Sequence, residues 1–277
     1  MKGFCSRLAH GTRSTVCAIT LSVAALIGQN NVQAAASNLI DGNSTISIDP
    51  FSQAGMSSWT VNAINQVQQE WFWFRVGNTA EAPINTISAP VVTQTLPRQL
   101  TVAYDLPGAY GVTISYNLTG SSNPGLTEAI TIANHTGTNM SLSFFRYGQV
   151  SLGGNTANQS VLFGSDLSGI TSVSQSGPNG RSFISAVTVA ANRAEAALFN
   201  TTLASLNNGT ATTLNNNMAI GPANNPTYAF EWDFSITAGN TKQISIITQV
   251  PEPSVFALAG LALAGLLHFK RQRPIKA

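Results

Sequence analysis

Glu231 and Asp233 stand two residues apart in Tyr228-Ala229-Phe230-Glu231-Trp232-Asp233-Phe234-Ser235-Ile236. As neighbours on one face of a strand, their carboxylates would lie roughly 7 Å apart. That separation suits the paired acids of a glycoside hydrolase or two ligands of a calcium ion, and equally two polar positions on the solvated side of a half-buried strand. Trp71, Trp73 and Arg75 share one face of another extended segment, with Phe72, Phe74 and Val76 on the other. Such an aromatic face is a glycan platform if open and ordinary core if covered. Asp41-Gly42-Asn43 begins like a calcium loop but lacks the alternating acids and distal Glu of one, so it predicts a turn. His135 is the only histidine between His10 and His268 and sits among turn residues. One imidazole does not supply the three or four ligands of a zinc site or the partners of a hydrolytic triad. No nucleophile elbow, phosphate loop or dinucleotide fingerprint occurs. The sequence therefore predicts no catalytic residue, no metal and no cofactor, and a protein that is not an enzyme.

The charges restrict partners further. Of 277 residues, 43% are hydrophobic and only 9% charged, which excludes a disordered chain and allows a sizeable core. The formal net charge of +2 arises at the ends. Lys2, Arg7 and Arg13 precede residue 14, and Lys270, Arg271, Arg273 and Lys276 crowd the last eight positions. From Ser37 to Val250 only six basic residues face ten acidic ones, so a nucleic-acid-binding body is not expected. Cys5 and Cys17 are also confined to the first segment, so a body starting near residue 37 has neither a disulfide nor a thiolate nucleophile.

The elements that must position these residues are strands. Besides the alternation over Tyr228–Ile236, a second apolar face is formed by Val112, Ile114, Tyr116 and Leu118, and further strands are expected over Leu100–Tyr104, Ala129–Ala133, Met140–Phe145 and Gln243–Thr248. Turns such as Asp105-Leu106-Pro107-Gly108 and Asn134-His135-Thr136-Gly137 separate them. Short strands without alternating helices predict an all-β fold, an antiparallel β-sandwich or jelly-roll-like body. One short helix is expected between about Ala190 and Leu206, where Phe199, Leu203 and Leu206 have helical spacing, and Val150–Gly180 is expected to be mostly loop with one strand near Val161. With no repeat or internal boundary, residues 37–250 form one domain.

Both ends are addresses. A basic leader, an apolar run from Val16 to Ile27 and a polar exit ending in Ala34-Ala35-Ala36 predict a signal peptide over residues 1–36, cut by signal peptidase. At the other end, Val255, Phe256, Leu258, Gly260, Leu261, Leu263, Gly265, Leu266 and Leu267 belong to an uncharged run of fifteen residues ending at Phe269, before the basic stop of Lys270, Arg271 and Arg273. As a helix this run spans about 22 Å, short of the roughly 30 Å hydrocarbon core, which suits a temporary anchor in the inner membrane. Its small residues allow close approach by another membrane helix, and the basic tail stays cytoplasmic while the body is exported.

Pro251-Glu252-Pro253, the short Gly-, Ala- and Leu-rich apolar helix and the terminal basic cluster together resemble the PEP-CTERM sorting signal of Gram-negative bacteria, over residues 251–277. The resemblance implies processing by an exosortase, a membrane cysteine protease, in a host that makes exopolysaccharide, and delivery to the cell surface, a biofilm matrix or the medium. Gln69-Glu70-Trp71-Phe72-Trp73-Phe74-Arg75-Val76-Gly77-Asn78 also resembles a segment of some PEP-CTERM proteins of unassigned role. The resulting expectation is an exported protein with a structural or adhesive body. The alternatives are an exopolysaccharide-binding module using Trp71, Trp73 and Arg75, and a secreted glycoside hydrolase using Glu231 and Asp233.

Overall fold

A computed structural model describes residues 36–120, 123–178 and 181–250. The expected signal peptide over residues 1–36, apart from Ala36, and the expected C-terminal sorting segment, including Pro251, Glu252, Pro253, the apolar run and the basic stop, lie outside the described residues.

Alternation of large apolar with small polar residues produces eighteen strands among the described residues, arranged as two nine-stranded sheets. In chain order they are β1 Ser37–Asp41, β2 Ser44–Asp49, β3 Gly55–Val61, β4 Ile64–Asn65, β5 Val67–Val76, β6 Ala82–Pro83, β7 Val91–Leu96, β8 Gln99–Leu106 and β9 Tyr110–Thr119. There follow β10 Gly125–Asn134, β11 Met140–Val150, β12 Gln159–Asp166, β13 Gly169–Ser176, β14 Ser182–Ala191, β15 Arg193–Leu198, β16 Ala219–Ala223, β17 Pro226–Ile236 and β18 Thr241–Gln249. The first sheet runs β1-β2-β3-β5-β11-β17-β15, with β4 beside β3 and β6 beside β5. The second runs β16-β12-β13-β14-β18-β10-β9-β8-β7. Every pairing is antiparallel except β3 with β5, so this is the all-β antiparallel sandwich expected.

The inner faces meet in one apolar core. Register places Phe74, Phe144 and Trp232 abreast on the first sheet; Phe72, one inward position along β5, stacks diagonally on Phe144 with ring centroids 5.6 Å apart, and Phe144 lies 6.4 Å from Trp232. Leu100, Val102, Ile114, Ile130 and Ile244 oppose them from the second sheet. Gly148 sits where a Cβ would overlap the Tyr228 ring across the β11–β17 ladder, so only glycine admits that ring.

Two expectations about elements are corrected. Residues 190–206 do not form one helix: β14 continues to Ala191, β15 occupies Arg193–Leu198, and the helix α1 is confined to Thr201–Leu206. Ala194 and Ala196 lie fully buried on β15, packed where a larger side chain would not fit, and this tertiary packing overrides the helix preference of Ala and Glu. Residues 150–180 are not mostly loop either, because β12 and β13 form a hairpin that turns at Leu167-Ser168-Gly169. Their Ser and Gly residues alternate with buried Val161, Phe163, Ile170 and Val173, a period the polar composition masks.

Candidate functional site

The sorting segment departs from the middle of the second sheet. β18 is paired on both sides, with β10 and with β14, so the chain is held until Gln249. Val250 is buried and its N–H donates to the Pro124 carbonyl at 3.1 Å. Pro251 follows, without an N–H to extend the ladder.

The residues singled out for sugar chemistry lie on the outer face of the first sheet. Trp71, Trp73 and Arg75 share that face with Phe145 on β11 and Glu231 and Asp233 on β17, as their register requires. The aromatic face is not open, however: Trp71 is 1% and Trp73 0% exposed. Two segments cover it. The Trp71 indole N–H donates to Asn85 Oδ1 at 3.3 Å, and that of Trp73 to Asn207 Oδ1 at 3.3 Å, on the strap of residues 199–217 that contains α1. Indoles buried in this way, each with its one donor used, are core components, and an exposed platform at Trp71, Trp73 and Arg75 is corrected accordingly.

Arg75 and the acids around it clasp the strap. Arg75 Nη1 donates to Glu81 Oε1 at 2.7 Å and to the Thr212 carbonyl, Nη2 reaches Glu231 Oε1 at 3.4 Å, and the guanidinium lies 5.4 Å from the centre of the Phe145 ring. Glu81 accepts the Thr212 N–H with both oxygens, at 2.8 and 3.0 Å. Glu231 accepts the Leu214 N–H at 2.8 Å, and Glu195 accepts the Thr202 hydroxyl at 2.6 Å and the Asn215 N–H at 3.3 Å. Burial raises the Glu231 carboxyl above its ordinary range, with the Asp233 charge adding to the effect. Asp233 itself accepts the Ser143 hydroxyl at 2.5 Å. Glu231 and Asp233 thus share a face, as expected, but serve different partners. Glu81 escaped the sequence reading because nothing local marks an acid that binds a segment 131 residues away, and Glu195 because its partners, 7 and 20 residues on, lie in a segment read as helix or left unassigned.

A second charged network lies between the sheets. Arg146 on β11 is fully buried; its Nη2 donates to Glu70 Oε2 on β5 at 2.7 Å and to Glu128 Oε2 on β10 at 3.1 Å, and its Nη1 to Ser185 Oγ on β14 at 2.8 Å. Thr248 on β18 accepts from Nη2 at 3.2 Å, and the Tyr228 hydroxyl donates to Glu70 Oε2 at 3.2 Å. Burial drives the Glu128 carboxyl well above its ordinary 4.5; the Glu70 charge adds to the rise and Arg146 opposes it. Among the described residues neither Glu70 Oε1 nor Glu128 Oε1 has a hydrogen-bond donor. Nothing beside Glu70 in the sequence announces its buried partners. Strand parity would have placed it inside, because it alternates with Phe72 and Phe74, as Glu128 alternates with Leu126, Ile130 and Ile132.

The remaining candidates are small. His135 Nε2 lies 2.8 Å from Asp105 Oδ1, and both side chains are exposed. Asp41-Gly42-Asn43 forms the β1–β2 turn, with Gly42 at φ +55°. Among the described residues no group of three or more His, Cys, Asp or Glu side chains is placed to hold a metal. A groove of about 330 Å³ crosses the outer face of β8, β9 and β10.

Comparison with known proteins identifies the C-terminus and the fold. Residues 249–272 match the PEP-CTERM protein-sorting motif, which contains Pro251-Glu252-Pro253, the apolar run, Lys270 and Arg271. No curated protein matches the chain. Among solved structures, a bacterial glucoamylase complexed with acarbose superposes on 83% of this chain with a TM-score of 0.57 and 10% identity, and the chain spans only 33% of that protein's length. A protein from Escherichia coli K12 provisionally described as an aldose 1-epimerase matches over 78% of this chain and 98% of its own (TM-score 0.56, 8% identity). A galactose mutarotase-like protein from Lactobacillus casei ATCC 334 matches over 78% and 100% (TM-score 0.52, 11% identity). At these identities the likeness concerns the β-sandwich architecture alone. The motif is that of an exported protein processed at the membrane by an exosortase.

Proposed function

We propose that this chain is a cell-surface or extracellular matrix protein whose β-sandwich has a structural, adhesive role and no catalytic turnover. In this reading residues 1–36 direct export, and the exosortase acts on the C-terminal signal while the apolar helix holds the precursor in the inner membrane. The observation that carries it is the sorting motif beginning at residue 249, where the rigid body ends: β18 is paired to Gln249, Val250 is anchored, and Pro251-Glu252-Pro253 comes next.

The non-catalytic part is supported by the use of the acids. Glu231 is committed to Arg75 and the Leu214 N–H, and Asp233 to Ser143, which leaves no free acid and base at glycosidase spacing. If E231Q/D233N removed a glycoside hydrolase activity, the non-catalytic reading would fall. Exopolysaccharide binding is the second reading, favoured by the sandwich shared with carbohydrate-acting proteins.

Glu252→Ala tests the sorting reading through the intact mass and location of the protein. The unmodified chain is expected at the surface or in the medium without residues beyond the motif, and the variant in the inner membrane with residues 255–277 attached. Identical masses for the two would refute it.

A further inference from the structure

The covered tryptophans remove the obvious place for a matrix polymer to bind, but the second sheet presents a different one. The groove of about 330 Å³ on its outer face is walled by Thr93 and Thr95 of β7 and floored by β8, β9 and β10. The β7–β8 ladder is irregular at this wall: the register shifts between the Thr93–Thr101 and Leu96–Gln99 pairs, with Thr95 in the unpaired stretch. On the floor, Thr101 and Ser115 hydroxyls lie 3.2 Å apart, and the Gln99 amide donates to Asn117 Oδ1 at 3.3 Å.

Register extends this chemistry into two transverse rows. Thr101, Ser115 and Ala129 lie abreast, continued by Ser245 of β18; Gln99, Asn117 and Thr127 form the row beside them. The exposed methyl of Ala129 leaves a gap between the hydroxyls of Ser115 and Ser245. Every lining residue is uncharged, and the one titratable side chain among them, Tyr116, is turned into the core and only 3% exposed. The charges flanking β8 are Arg98 at the turn from β7 and Asp105, which holds His135, at the far end.

Hydroxyls donate and accept, and amides offer one group of each kind, which matches the surface of a sugar. An acidic polymer or a nucleic acid would find no cation in the groove to replace its counterions. A protein partner would find no exposed aromatic or large apolar anchor in it. We propose that this groove binds a segment of an uncharged polysaccharide chain. The proposal rests on the matrix reading above and names the surface through which the body would meet the matrix.

The test is affinity electrophoresis of the processed protein in gels containing neutral galactomannan, dextran or acidic alginate. A neutral polymer should retard the protein to the same extent at low and high salt, because no ion pair contributes, and alginate should not. Ala129→Lys, at an exposed position, should keep the thermal midpoint and weaken retardation about tenfold or more, and T101A/T127A should do the same by removing hydroxyls. Retardation by none of the neutral polymers, equal retardation by alginate, or wild-type behaviour of A129K would overturn the proposal. So would a dimer in sedimentation that A129K dissociates, since the groove would then hold a second copy. Failure of this proposal is separable from failure of the matrix reading, because surface display, processing and cell adhesion are scored in the same strains: A129K should leave processing intact, and Glu252→Ala should leave polymer binding intact.

Discussion

At the scale of single residues, the most costly arrangement is the buried one of Arg146 between Glu70 and Glu128. One guanidinium cannot neutralise two carboxylates, and desolvation decides the outcome by keeping a proton on Glu128. The folded state then holds a proton that the unfolded chain releases above about 4.5, the ordinary value for the group. The stabilising contribution is fully present below that pH and declines as pH rises toward the folded value, at a limiting slope of about 1.4 kcal/mol per pH unit. Gln mimics protonated Glu in shape and as a donor. Glu128→Gln is therefore expected to flatten this decline, matching the wild type near pH 5 and exceeding it near pH 8 in urea midpoints. An equal loss of stability at both values would show that Glu128 is ionised in the fold. Arg146→Met leaves Glu70 without its cation and should cost about 3–5 kcal/mol at pH 7. These three charges were legible one by one, since each falls on the apolar parity of its strand, but their meeting was not. Glu70, Glu128 and Arg146 come from three strands in two sheets, and no local pattern reports which strands face each other.

At the scale of elements, the alternating strands were legible, with Val112 to Leu118, Tyr228 to Ile236 and Gln243 to Thr248 each lying inside an observed strand. Elements whose period is hidden by composition were not: β15 looked helical because of its alanines and β13 looked like loop because of its serines, whereas the one strand expected near Val161 is β12. The strap of residues 199–217 shows the same limit, because beyond Leu206 and Leu214, which it buries, it is held by carboxylates that no local pattern announces. Three of its N–H groups, those of Thr212, Leu214 and Asn215, reach acids on or beside the first sheet. Glu81→Gln puts an amide donor against Arg75 and the Thr212 N–H, leaving a buried donor unmatched, which costs about 1–3 kcal/mol. The expected result is local: hydrogen exchange at Thr212 and Leu214 should accelerate by tenfold or more, while amides of β9 and β10 are unchanged. Uniform acceleration across both sheets would instead make the strap part of the global folding unit.

At the scale of the whole molecule, the basic balance of the chain belongs to its two ends, and the body carries most of the acids, of which Glu81 and Glu231 fold against Arg75 and Glu70 and Glu128 against Arg146. β18 closes the described body where the sorting motif begins. β18 lies between β10 and β14, supplies Ile244, Ile246 and Thr248 to the interior, and is the last paired strand before the motif. Removing residues 251–277 should leave the thermal midpoint of the body within about 2 °C, because surface changes away from the core seldom exceed about 0.5 kcal/mol. Ending the chain at Asn240 instead deletes a central strand, exposes the edges of β10 and β14 and strips Arg146 of Thr248, so that protein should fail to fold or should aggregate. The pair of truncations, compared by calorimetry and near-UV circular dichroism, locates the boundary. A large loss from the first would mean that the sorting segment packs on the body and that cleavage releases a destabilised domain. A body indifferent to the cut can be processed after folding, with Pro251 as the first residue the protease can reach without opening the sheet.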